Sequence, residues 1–149
     1  MEMEEETTLR RLAIKIFNDV WNLLDKTGRS QAENDTMLHG AHASRYLWEL
    51  VGQPVNLARG EWQVSRVYSV LGRAEGAHYH AQRCLDICLE NAIGDFDLAY
   101  AYEALARACA IAGDADGRQQ YYSLAKESGQ HIKEEDDKKL FDTDMSSIP

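Results

Sequence analysis

The sequence predicts an all-α domain built of stacked helical hairpins. Three observations carry that prediction. Apolar residues recur at three- and four-residue steps, and no segment sustains the two-residue alternation of a half-buried strand. Proline is almost absent, with Pro54 and Pro149 alone among 149 residues, so helices are seldom interrupted by a residue that cannot donate to the ladder. Glycine and aspartate punctuate the pattern at helix-length intervals, as at Gly72 and at Gly113-Asp114.

The elements follow in order. Glu4, Glu5 and Glu6 put negative charge where a helix dipole favours it, and Thr7 or Thr8 can cap, so the first helix is read as 7–28. Leu9, Leu12, Ala13, Ile16, Val20 and Leu23 form one apolar stripe. Ile14, Phe17, Trp21 and Leu24 form a second, so this helix should be covered on more than one side. Lys26 and Gly28 close it. Ser30 to Asn34 reads as a polar loop, and Asp35 as the cap of a second helix over 35–52, stopped by Gly52 and Pro54. Further helices are read at 55–71, 73–91, 95–112 with Asp95 as cap, and 114–129. The charged run Lys133–Lys139 predicts a short helix over 132–142. Leu140, Phe141, Met145 and Ile148 would fold it back over the last hairpin, leaving 143–149 as a flexible tail. A single domain, 1–149, accommodates all of this.

Composition narrows the function. A net charge of -9 opposes nonspecific nucleic-acid binding, which needs a basic surface, and opposes attraction to an anionic membrane. The acidic start is unlike a signal peptide, and no apolar run spans a bilayer. Cys84, Cys88 and Cys109, an odd number inside helical patterns, suit buried thiols in a reducing compartment, so a cytoplasmic protein is expected.

The chain also repeats itself. A shift of about 41 residues superposes Leu57-Ala58 on Leu98-Ala99, Arg66 on Arg107, Gly72 on Gly113 and Gly76 on Gly117. A shift of about 38 aligns His42-Ala43-x-Arg45-x-Leu47 with His80-Ala81-x-Arg83-x-Leu85. The stretch Tyr68-x-x-Leu71-Gly72-Arg73-x-Glu75-x-Ala77 resembles the turn between the two helices of a tetratricopeptide (TPR) repeat, and Gly113-Asp114-Ala115-Asp116 resembles the same turn one repeat later. Ala77, Cys84 and Leu85 fall where that family keeps small or apolar residues on its second helix. The chain departs from the family in its period, about 41 against about 34 residues, in lacking proline after the second helix, and in carrying Arg118 at a small-residue position. The segments Leu57–Trp62 and Gly94–Ala99 are also similar to uncharacterised bacterial proteins of this length. The resemblance implies a TPR-like α-α superhelix of about three hairpins plus a C-terminal capping helix. Its concave face would hold a peptide or protein segment.

In the family's register, Arg59, Trp62 and Arg66 on the third helix and Tyr100, Glu103 and Arg107 on the fifth face that groove. Arginine forks grip carboxylates, and aromatic rings supply rigid contact area. The alternative left open is that the arginines pair with Glu61, Glu103 or neighbouring acids and stitch helices together. A second function is also open. Asp35, His39 and His42 share a helix face, and the repeat places His42 beside His80, so His39, His42 and His80 could hold a metal or a small molecule. No HExxH pattern, phosphate loop or nucleophile elbow is present, and Cys84 and Cys88 suit core packing better than zinc. The sequence therefore predicts a non-enzymatic protein-interaction module without a cofactor, as a monomer or homodimer, with the metal-binding reading as its alternative.

Overall fold

The computed structural model describes residues Met1–Pro149 and is all-helical, with no strand. Its seven helices are α1 (Met3–Leu24), α2 (Gln31–Val51), α3 (Pro54–Val70), α4 (Ala74–Glu90), α5 (Asp95–Ala112), α6 (Ala115–Gly129) and α7 (Glu135–Ser146). None is long and apolar enough to cross a membrane.

Five boundaries differ from the sequence reading, each for a local reason. Helix α1 begins at Met3, so Glu4, Glu5 and Glu6 form its first turn instead of preceding it. It ends at Leu24, and Gly28 takes its left-handed φ of 67° in the connecting loop. The cap of α2 is Ser30, not Asp35. Its hydroxyl accepts from the Glu33 N–H (3.1 Å) while the Glu33 carboxylate accepts from the Ser30 N–H (3.0 Å), a reciprocal box that satisfies two donors otherwise left without partners. Asp95 does not cap α5. It is the first helical residue, with φ of 53°, and its carboxylate accepts from the Lys133 N–H that leads into α7. Helix α7 runs through Ser146, and Met145 and Ile148 are buried, so the expected tail is part of the packed fold.

Consecutive helices fold back on each other as hairpins, α1 on α2, α3 on α4 and α5 on α6. Small residues set the closeness of these pairs. At Gly40 a Cβ would meet the Val20 methyl at 2.9 Å, and at Gly76 it would strike the Tyr68 ring at 2.8 Å. Gly113 ends α5 with a left-handed φ of 76°, and Asp114 caps α6 by accepting from Gly117 N–H (2.9 Å). Each even helix then packs on the next odd one: α2 on α3, α4 on α5, α6 on α7. The odd helices also touch in sequence, α1 to α3, α3 to α5 and α5 to α7, forming a row.

The core is uneven along this row. One cluster of 18 buried residues joins α3 through α7, from Ala58 and Trp62 to Phe141 and Ile148. The first hairpin contributes two smaller groups. One joins Val20, Met37 and Ala41 to Val64 and Val67, and the other is Ala13, Trp48 and Val51.

Candidate functional site

The row of odd helices carries most of the polar chemistry. Its spine is aromatic: Trp21 packs on Trp62 (ring centroids 5.2 Å), Trp62 on Tyr100 (4.8 Å) and Tyr100 on Phe141 (5.1 Å), linking α1, α3, α5 and α7. Trp62 is only 9% exposed, so it acts as packing at the centre of the row.

The three arginines do not converge. Arg59 is nearly half exposed and grips Asp97 of α5 with two hydrogen bonds, 2.8 and 3.1 Å, which hold its guanidinium pKa above the ordinary value despite partial burial. Arg66 lies 3.6 Å from the Glu103 carboxylate, an ion pair without a hydrogen bond. Arg107 donates to the same oxygen of Glu103 from Nε (2.9 Å) and Nη2 (2.6 Å). Glu103 is fully buried, so two cations compensate one carboxylate taken out of water.

Arg107 also holds the C-terminal helix. Its Nη2 donates to the Ser147 hydroxyl (2.8 Å) and the Asp144 carbonyl (3.0 Å). Tyr100, buried to 1% exposure, donates its phenol to the Asp144 carboxylate at 2.5 Å. Burial and this negatively charged acceptor together push the phenol pKa well above its usual range. The predicted groove residues thus lie on one row, and each is engaged with a neighbouring helix of the same chain. Sequence reasoning named Glu103 as a partner but missed Asp97 and Asp144, which approach only through the packing of successive odd helices.

The histidines divide into two places. His42 and His80 come together where α2, α3 and α4 meet, with ring centroids 5.4 Å apart. His42 Nε2 shares a hydrogen bond with the Tyr68 hydroxyl (2.9 Å), and the His80 ring stacks on Tyr68. Glu61 accepts from His80 Nδ1 (2.6 Å) and from Arg45 Nε (3.1 Å). Burial lowers the pKa of His42, and the neighbouring charge of His80 adds to this. For Glu61, burial pushes upward, but the hydrogen bond and charge of His80 and the charge of Arg45 outweigh it and hold the carboxyl below its ordinary value. These hydrogen bonds tie α2 and α4 to α3. His39, one turn before His42 on α2, is close enough for its charge to lower the His42 pKa slightly further, but it lines a groove between α1 and α2 together with Asp35. His39, His42 and His80 therefore do not form one cluster, and no three His, Cys, Asp or Glu side chains converge in a way that could hold a metal ion. Cys84, Cys88 and Cys109 are free and buried. Comparisons with protein-family models, with curated proteins and with solved structures give no match.

Proposed function

We propose that this chain is a TPR-like stack of three helical hairpins closed by α7, working as a protein-interaction module rather than an enzyme. The packing order supports the stack, because every helix meets its neighbours in sequence and the odd helices line up beside one another. Three free buried thiols fit a reducing, cytosolic setting.

The observation that carries the binding reading is the grip of α5 on α7. Phe141, Met145 and Ile148 bury apolar surface there, while Tyr100 and Arg107 fix the segment by hydrogen bonds to Asp144 and Ser147. The row is therefore chemically suited to hold a helical segment of protein, by apolar anchors plus charge-assisted hydrogen bonds. A partner segment would lie further along the row, where α7 does not reach. There Ile14 and Phe17 of α1, Trp48 of α2, and Asn56 and Arg59 of α3 line a hollow of about 120 Å3. Ile14 is 47% exposed, and Arg59 is the one arginine of the three that is not largely buried.

The test is site-specific photo-crosslinking of the full chain in cell extract, with the reactive group at position 14 and, as a control, at position 127 on α6. A protein adduct specific to position 14, lost in Arg59→Ala, supports the reading. No adduct, or equal adducts from both positions, overturns it.

A further inference from the structure

We propose a second docking surface, the groove between α1 and α2, and its occupant: a basic amphipathic helix of a partner protein. The surface lies apart from the hollow at Ile14 and Arg59 and shares no lining residue with it.

The first step is architectural. Helices α3, α5 and α7 each pack against the even helix before them as well as an odd neighbour, whereas α1 packs on α2 and, more lightly, on α3. The face left open on the first hairpin is a groove of about 420 Å3. Ile16, Val20 and Leu23 of α1 form one wall, and Gly40 and Ala43 of α2 the other. The small residues matter here. A side chain at Gly40 would run into Val20, so the two helices meet closely and leave a shallow apolar trough between their outward faces.

The second step is charge. The acidic side chains lining the groove are Asp19 and Asp35, beside Thr36 and His39, and no lysine or arginine lines it. Lys15 pairs with Asp19 along α1 at 2.6 Å, but both side chains are more than half exposed, so that carboxylate is only partly compensated. Asp35 receives the Gln31 side-chain amide and no cation. The whole chain carries -9. A helix bearing lysine or arginine beside its apolar stripe complements both features.

The third step is precedent within the molecule. When α2 covers α3, it lays the stem of Arg45 on Gly60, where a Cβ would approach Arg45 to 3.0 Å, and donates its guanidinium to the buried carboxylate of Glu61 at 3.1 Å. The covering helix thus brings a cation to a carboxylate on the odd helix it covers. On α1, Asp19 offers a carboxylate that is more exposed than Glu61 and is shared with Lys15.

The experiment uses the full chain and two synthetic helical peptides of about 18 residues. They share a Leu/Ala stripe and carry either lysine or glutamate on the polar face. Binding is followed by fluorescence anisotropy and by amide resonances. The lysine peptide is expected to bind about tenfold or more tightly than the glutamate peptide and to shift the resonances of Gly40 and Ala43. Filling the trough with Ala43→Arg, at an exposed position, should abolish binding. Asp19→Asn with Asp35→Asn should weaken the lysine peptide about tenfold, while Asp136→Asn with Asp137→Asn on α7 leaves it unchanged. If Ala43→Arg fails to fold by circular dichroism, the two pairs of aspartate variants decide. Equal binding of both peptides, equal effects of the two aspartate pairs, or shifts confined to other helices overturn the proposal. So does a concentration-dependent dimer in light scattering that Ala43→Arg disperses, because the occupant would then be a second copy of this chain.

Discussion

The two ends of the stack solve the same problem differently. A hairpin has an apolar face that it cannot bury alone, and a stack must cover the last such face at each end. At the C-terminal end α7 does this. Phe141 sits against Gly129, where an added Cβ would collide with its ring, and Tyr100 and Arg107 lock Asp144 and Ser147. In the first hairpin α1 packs on α2 and lightly on α3, and Leu12 and Ile14 remain 42% and 47% exposed. The difference separates two roles that a repeat stack usually mixes. The closed end supplies stability, and in the function proposed above the open end and the neighbouring hollow would supply surface for partners.

The largest test of that contrast is Glu103→Ala. It leaves Arg66 and Arg107 facing each other without their carboxylate, and removing one partner of a buried pair costs about 3–5 kcal/mol. Urea denaturation should show it as a lower midpoint with an unchanged slope. Next comes the direct comparison of the two ends. Phe141→Ala should lose about 3–4 kcal/mol, whereas Leu12→Ala should lose less than about 0.5 kcal/mol. Comparable losses at the two positions would erase the distinction between a closed end and an open one.

Smaller again is Ser30→Ala, which removes the α2 cap and should cost about 1 kcal/mol. Far-ultraviolet circular dichroism melts would register it.

The smallest effect is that of pH on the junction of α2, α3 and α4. His42 has its folded pKa below the ordinary 6.5, so the unfolded chain binds more protons as the pH falls through that value. The stability tied to neutral His42 is thus present above about 6.5 and lost as the pH drops toward the lowered folded value. Glu61 acts in the same direction lower down. Its pKa is held below 4.5, so its contribution is present above 4.5 and lost as the pH falls through the folded value. Acid should therefore loosen the first hairpin from the second before it affects α7. His42→Gln should flatten the dependence of melting temperature between about pH 7 and 5.5. An unchanged slope in that variant would remove His42 from the explanation.

How much of this was legible in the sequence depends on the range of the interaction. The turn at Gly113-Asp114 and the ends of α5 and α6 could be read because glycine in a left-handed conformation and an aspartate cap act within a few residues. The Ser30-x-x-Glu33 box was equally local, yet it sits in a polar stretch before the apolar pattern begins, and the periodicity drew the boundary to Asp35 instead. At the C-terminus the spacing of Phe141, Met145 and Ile148 was legible as a cap over the last hairpin, but the aspartates and serines among them hid how far the helix runs. For the site, residue types were legible and partners were not. Arg59, Arg66 and Arg107 could be placed on α3 and α5, but their partners are set by packing: Asp97 for Arg59, Glu103 for Arg66, and the Asp144 carbonyl and Ser147 hydroxyl for Arg107, all roughly 40 residues away along the chain. The repeat alignment did carry His42 to His80, because equivalent positions of neighbouring repeats are the one long-range relation a single sequence displays.

The aromatic spine gives the molecule an internal optical reporter. All three tryptophans, Trp21, Trp48 and Trp62, belong to the first three helices, and Trp21 and Trp62 lie 5.2 Å apart across the α1–α3 contact. Intrinsic fluorescence therefore watches the seating of the first hairpin, while circular dichroism sums over every helix. If the two signals trace one unfolding curve, the stack is a single cooperative unit. If emission changes first, the first hairpin opens as a unit of its own, and the order of loss can be followed without attaching any dye.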